Sequence, residues 1–164
     1  MKTHLPTIGA METLERAVQL MREHRIRHLP VANAEGTVVG IISDGDLLRA
    51  SAHVYDNVDG GSETLCLVAG ACVRDYMSTT LKTISIDEKV NEAIEIMLRS
   101  KVYACLVERN STVVGIITYE DLMELLRNDL QGLRGSEFRA TIAEYISKTP
   151  LGVPSTLLNN VEFQ

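Results

Sequence analysis

Apolar residues along the chain fall into two alternating rhythms, and the whole alternation occurs twice. Leu14, Ala17, Val18 and Met21 stand three and four apart, the spacing of one helical face. Two short apolar runs follow, "RHLPVA" at 27–32 and "TVVGII" at 37–42, parted by the polar "NAEG". They read as strands joined by a turn. Leu47 and Leu48 then open a second helical stripe that begins near Asp44. Further on, Val90, Ala93, Ile94 and Met97 repeat the first stripe. "YACLVE" at 103–108 and "TVVGII" at 112–117 repeat the strands. Leu122, Leu125 and Leu126 repeat the second stripe, from near Tyr119. A short extended piece precedes each copy, around 5–8 and 81–86. The predicted unit is β-α-β-β-α, an α/β class with strands buried on at least one face and helices covering the other.

The two copies align residue for residue. Met1 falls on Met77, Thr7-Ile8 on Thr83-Ile84, and Glu12, Ala17 and Met21 on Glu88, Ala93 and Met97, all at an offset of 76. Past "NAEG" and its counterpart "RNS" the offset drops to 75, a change that a hairpin turn absorbs. Between 37–47 and 112–122, eight of eleven positions are identical. Two copies rather than many suggest a pseudo-twofold pair, not a solenoid. Asp87 is positioned to cap the second helix; its counterpart, Met11, cannot cap the first. The chain divides into repeat 1 (residues 1–55), a linker and lead-in (56–76), repeat 2 (77–128) and a C-terminal tail (129–164). The Gly- and Asp-rich first half of the linker reads as a loop, and "ETLCLVAGACVRDYM" as a short helix. In the tail, "IAEYISKT" at 142–149 echoes "VRDYMSTT" at 73–80. Repeat 1 has no such lead-in before it, so the tail is expected to supply it, near Met1 of its own chain or of a dimer partner.

Ser43-x-x-Asp46 and Thr118-x-x-Asp121 close a strand and open a helix in each copy. A hydroxyl followed three places later by an acid is a capping pattern, although Asp is short for the reciprocal bond that Glu or Gln usually makes. The same arrangement can serve a ligand. A helix N-terminus offers unpaired N–H groups and the positive dipole end to a phosphate. A carboxylate one turn away can accept from the vicinal hydroxyls of a ribose. Gly40 and Gly115 either admit a close backbone approach or mark a bulge.

With these elements recurring in order, each copy resembles a CBS motif (the cystathionine beta-synthase domain), and residues 1–128 resemble a tandem CBS pair, or Bateman module. "VRDYMS" resembles that family's usual lead-in. The resemblance implies two pseudo-twofold-related motifs forming one compact module, with the tail outside it. It implies a regulatory fold that binds AMP, ADP, ATP, S-adenosylmethionine or, in some members, NAD, with the hydroxyl on phosphate and the Asp on ribose. It implies crossed clefts: Thr118 and Asp121 with Thr7, Ile8, Arg27, His28 and Pro30, and Ser43 and Asp46 with Thr83, Ile84, Tyr103, Ala104 and Leu106. Arg27 and His28 make the first the more basic cleft and the expected tighter site for AMP or ATP. It also implies pairing of two modules into a homodimer, which the continuous apolar helix faces favour as well.

Composition narrows the alternatives. Hydrophobic residues make up 45% and the net charge is −6. With no block of Lys and Arg, this balance argues against nucleic acid. No apolar run approaches the ~18 residues of a membrane span, and the N-terminus has no signal-peptide core, which leaves the cytoplasm as the expected location. Cys66, Cys72 and Cys105, an odd number without C-x-x-C spacing, read as reduced thiols rather than a disulfide or zinc framework. His24 and His28 lie four apart, but the helix should end between them, so no metal is expected. No nucleophile elbow, phosphate-binding loop or dinucleotide fingerprint is present. Neither Asp46 nor Asp121 has a second titrating partner nearby in sequence, which disfavours an enzyme. The expected role is a sensor of an adenosine-containing ligand without a cofactor of its own, acting on an unidentified effector protein. The alternative is a dimerisation scaffold with vestigial ligand sites.

Overall fold

The computed structural model describes residues 6–56, 62–132 and 141–142, with side chains except those of 52–56, 62–65 and 128–132. It falls into two units, Pro6–Thr80 and the part from Leu81 onward. The first holds β1 (Ile8–Gly9), α1 (Leu14–His24), β2 (His28–Ala32), β3 (Val38–Ser43), α2 (Asp44–Arg49), β4 (Ser51–Asp56), β5 (Ser62–Leu67) and α3 (Val73–Tyr76). The second holds β6 (Thr83–Ser85), α4 (Val90–Ser100), β7 (Ala104–Arg109), β8 (Thr112–Thr118) and α5 (Tyr119–Gly132). Each unit thus carries the expected β-α-β-β-α order.

The sheets match strand by strand. β1 runs parallel to β2, which pairs antiparallel with β3; β6, β7 and β8 repeat this order. The register slips at Val31/Ala32 opposite Gly40, and again at Val107/Glu108 opposite Gly115. Both glycines therefore sit at a bulge, where a residue without a side chain fits the local kink. The offset change lies in the hairpin turns. Asn110 and Ser111 both take positive φ (50° and 61°), the two-residue turn that matches strand twist, while the longer first turn uses Gly36 at φ 79°.

Helix ends follow local chemistry. Thr13 Oγ1 accepts from the Arg16 N–H at 3.2 Å and caps α1. Lys89 occupies the N-cap of α4 and makes no side-chain cap bond there, while the Asp87 N–H donates to Ser85 Oγ, so the expected Asp87 cap does not form. α1 and α4 each stop on a left-handed residue, Arg25 and its repeat mate Lys101, whose N–H groups return to the last turn. α1 contacts β2, α4 contacts β7 and α5 contacts β8. The buried faces are the periodic ones: Leu14, Ala17 and Met21 with Leu29, Val31 and Ile42 in one core, and Val90, Ala93 and Met97 with Cys105, Val107 and Ile117 in the other.

The stretch between the repeats departs from expectation. Residues 51–56 and 62–67 form an antiparallel hairpin, β4–β5, in place of a loop and the start of a helix, and only Val73–Tyr76 is helical. The alternation in "SAHVYD" and "SETLCL" suits paired strands, whereas the Gly-Gly pair drew attention to a loop. Most of the tail lies outside the described residues, including most of the 142–149 echo. Thr141 and Ile142 are described, and they sit on repeat 2. Lys89 bridges Thr141, the Ile142 N–H donates to the Glu88 carbonyl at 2.9 Å, and Ile142 is fully buried with Ile84, Leu122 and Leu125.

Candidate functional site

Ser43 ends β3 and Thr118 ends β8, each in extended backbone at the mouth of a helix. In the first unit Asp46 Oδ2 accepts from the Ser43 N–H (2.7 Å) and from its Oγ–H (2.6 Å), while the Asp46 N–H returns to Ser43 Oγ at 3.2 Å. In the second, Asp121 Oδ2 accepts from the Thr118 N–H (2.7 Å) and Oγ1–H (2.8 Å), and the Asp121 N–H approaches Thr118 Oγ1 at 3.4 Å. The short Asp side chain does close the reciprocal bond, contrary to the expectation from its length. The hydroxyl hydrogen is committed to the carboxylate in this arrangement, so it must rotate to meet a phosphate oxygen.

The two boxes differ in their surroundings. Thr118 and Asp121 are 1% exposed and Asp46 is 8% exposed. Asp46 Oδ1 is ion-paired with Arg49, one helical turn on. The matching residue of repeat 2 is Glu124, which instead holds Arg127 at 3.0 Å. A cation therefore competes for the carboxylate of the first box, and an acid occupies that position in the second.

A second matched pair flanks each box. Arg27 Nε meets Asp44 Oδ2 at 2.6 Å, and the Asp44 N–H donates to the Arg27 carbonyl at 2.9 Å. Their repeat mates are Tyr103 and Tyr119. The Tyr119 N–H donates to the Tyr103 carbonyl at 2.9 Å, and the rings meet edge to face at 6.4 Å. The same backbone bond is framed by an ion pair in one copy and by an aromatic pair in the other. Sequence reasoning took Arg27 and Tyr103 and missed Asp44 and Tyr119, although the repeat offsets place them together. Asp44 sets a carboxylate beside the guanidinium that was expected to meet phosphate.

The other candidates divide by unit. Thr7, Ile8, Arg27, His28 and Pro30 share a unit with Ser43 and Asp46; His28 stands opposite Ser43 in the β2–β3 ladder. Thr83, Ile84, Tyr103 and Ala104 share a unit with Thr118 and Asp121; Ala104 stands opposite Thr118 and Thr83 beside Leu106. Thr7 and Thr83 are exposed, whereas the Ile8 and Ile84 side chains lie in the cores, which leaves only their backbone for a ligand. Each crossed cleft implied by the resemblance takes residues from both units and stays a proposal. Gly40 serves a neighbour of its own chain: a Cβ there would lie 2.6 Å from Met77 Sδ and 3.3 Å from the Ser78 carbonyl. Among the described residues no group of three His, Cys, Asp or Glu side chains could hold a metal ion, and no helix is long and apolar enough to cross a membrane.

Between α4 and α5 lies an apolar groove of about 170 Å³ lined by Ile94, Met97, Leu98, Tyr119, Leu122, Met123 and Leu126. At the first unit's matching positions, Arg22 replaces Leu98 and Asp44 replaces Tyr119. The apolar face is therefore a property of one repeat.

Comparison with known proteins places these features. The family model of the CBS domain matches residues 1–53 and 73–128. An uncharacterised 17.7 kDa protein of Acidianus ambivalens is 29% identical over 115 residues, 70% of this chain and 62% of that one. A homoserine O-acetyltransferase of Methanosarcina acetivorans is 25% identical over 126 residues, 76% of this chain but only 21% of the enzyme. The chain thus spans less than two thirds of either relative. Among solved structures, the CBS domain pair of protein MJ0100, in complex with 5′-methylthioadenosine and S-adenosyl-L-methionine, is similar in fold. Its TM-score is 0.59 at 23% identity, over 78% of this chain and 94% of that one.

Proposed function

The chain belongs to the CBS domain family, and from that premise we propose that it is a regulatory module rather than an enzyme. It binds an adenosine-containing ligand, AMP, ADP, ATP or S-adenosylmethionine, and shifts its conformation or assembly on binding. The observation that carries this reading is the twice-built hydroxyl–carboxylate box at a helix mouth. Adenosyl ligands in the CBS pair of MJ0100 support it by analogy. A ligand moves such an equilibrium only by its differential affinity for the two states.

The tighter site is the one built on Thr118 and Asp121. No Arg stands at position 124 to compete for the carboxylate, and Arg27 and His28 belong to that site in the family's crossed arrangement. The site built on Ser43 and Asp46 takes a less charged adenosine ligand or none. Calorimetry with AMP, ATP and S-adenosylmethionine tests this. Asp121→Ala should weaken AMP at least tenfold, about 1.4 kcal/mol, and Asp46→Ala should do little. Asp121→Asn, which keeps an acceptor for the box, should show a similar loss of binding. A greater loss from Asp46→Ala refutes the assignment of sites.

One observation favours a second reading. Both boxes are complete as helix caps, so each has a structural use without a ligand. A dimerisation scaffold with vestigial sites would give no heat with any of the three ligands. In both readings the occupant of the α4–α5 groove is a second copy of the chain, docked repeat 2 to repeat 2, since a twofold contact places the same face on both partners. Light scattering at about 100 µM, well above ordinary dimer Kd values, should give a dimer that Leu98→Asp dissociates. A monomeric wild-type chain refutes the pairing.

A further inference from the structure

The mouth of the first box carries a second carboxylate, and the chain itself fills the places that an anion would take there. Asp44 Oδ2 holds the Arg27 guanidinium at 2.6 Å, and Asp44 Oδ1 accepts from the Gly45 N–H at 2.8 Å. Gly45 stands against the box hydroxyl: a Cβ built on it would lie 3.6 Å from Ser43 Oγ. Guanidinium and backbone N–H are the two kinds of donor that hold a phosphate. Here both are turned on a side-chain carboxylate.

Guanidinium and carboxylate balance at this mouth. Arg27 stands on Asp44 and Arg49 on Asp46, one cation to each acid. α2 is only six residues long, so its dipole adds little. A phosphate arriving at Ser43 would have to take Arg27 and the Gly45 N–H from Asp44. It would then lie beside that carboxylate, where like charges repel even through water. A ligand with an uncharged 5′ group meets no such opposition. In repeat 2 the matching places hold Tyr103 and Tyr119, so no carboxylate stands at the position of Asp44.

We propose that Asp44 is a specificity-determining residue of the first box: it makes the box a site for adenosine ligands without a phosphate and turns AMP and ATP away. This selectivity rests on the reading of Ser43 and Asp46 as an adenosine site, and it names the charge class of the ligand. The Arg27 and Asp44 side chains are 64% and 45% exposed, and an ion pair so exposed adds little to folding. Asp44→Asn keeps an oxygen acceptor for the Gly45 N–H and removes the charge, so the variant should fold as wild type does.

NMR titration of the full chain with adenosine and with AMP, which differ by the phosphate alone, tests the proposal. The Ser43 and Gly45 amides report the first box and the Thr118 amide the second. In wild type, adenosine should bind at the first box at least about fivefold more tightly than AMP. In Asp44→Asn, AMP should tighten there at least about fivefold while adenosine moves less than about twofold. The gain for AMP should shrink as salt rises from about 20 to about 500 mM. An unchanged AMP affinity overturns the proposal. So does an equal gain for both ligands, which would mean that the carboxylate acts by its shape, or a gain read only at Thr118. If adenosine moves neither Ser43 nor Gly45 in either chain, the adenosine-site reading itself fails and takes this selectivity with it.

Discussion

Replacing Asp121 by Ala should destabilise the protein more than replacing Asp46, although both residues make the same box. In the second box the carboxylate accepts from the Thr118 N–H and Oγ1–H at 2.7 and 2.8 Å, where Thr118 and Asp121 are 1% exposed. Truncation to Ala leaves two donors with no route to water. Each stranded donor costs about 1–3 kcal/mol, so about 2–5 kcal/mol is expected once the overlapping loss of the cap is included. In the first box Asp46 is 8% exposed and Ser43 half-buried, so water can reach the freed groups. The cost there is that of an ordinary cap, about 0.5–2 kcal/mol, and the exposed Arg49 partner adds about 0–1 kcal/mol. Asp121→Asn keeps an oxygen acceptor and should lose less than Asp121→Ala. Urea titration followed by circular dichroism measures the three variants, with an unchanged m-value required for comparison. In a chain of this size each 1 kcal/mol should move Tm by about 2–4 °C. If Asp46→Ala proves as costly as Asp121→Ala, burial does not set the worth of these bonds and the reasoning fails.

Ile142→Ala should cost about 2–5 kcal/mol, as truncation of a buried aliphatic side chain does, while Met11→Ala, at a position 66% exposed, stays within about 0.5 kcal/mol; equal losses in chemical denaturation would mean that Ile142 is not core. Burial pushes the Cys105 thiol up to about 11 from an ordinary 9.0. The folded chain therefore holds a proton there that the unfolded chain releases, so this contribution to stability should fall as pH rises from 9 to 11. Cys105→Ala should flatten that part of the pH–stability curve, and in the native chain iodoacetamide should label the exposed Cys66 far faster than Cys105. Arg49→Ala releases the Asp46 carboxylate from its ion pair; calorimetry should then detect adenosine binding at the first box that wild type lacks or shows more weakly, and unchanged binding would remove Arg49 as the cause of the asymmetry.

Most of the fold was legible because two independent copies state the same pattern. A helical stripe such as Leu14, Ala17 and Met21 is ambiguous alone; its return as Val90, Ala93 and Met97 fixes the period. The short stretches misled. Asp87 looked like a cap because its side chain suits one, yet α4 begins later and Lys89 takes the position, since tertiary packing rather than propensity sets where a helix starts. The β4–β5 pairing was hidden because it occurs once, between the repeats, and the Gly-Gly pair in the sequence is more conspicuous than the alternation on either side.

The site was legible only as a set of residue types, because a single quartet serves two purposes. Ser43-x-x-Asp46 and Thr118-x-x-Asp121 satisfy a helix mouth when nothing else is present, and the donors and acceptors that do so are the ones a phosphate and a ribose would use. Sequence spacing specifies the cap; it does not specify whether the cap can open. That depends on neighbours outside the quartet: Arg49, which holds one carboxylate, Glu124, which stands at the matching place in the second copy, and the Arg27–Asp44 and Tyr103–Tyr119 pairs that set the charge beside each mouth. Gly40 carries the same lesson. Read alone, it invited a ligand to approach the backbone; in the fold it makes room for Met77, a residue of the segment that closes its own repeat. Gly40 is thus explained first by the segment laid along its strand edge, and the ligand reading rests on what differs between the boxes.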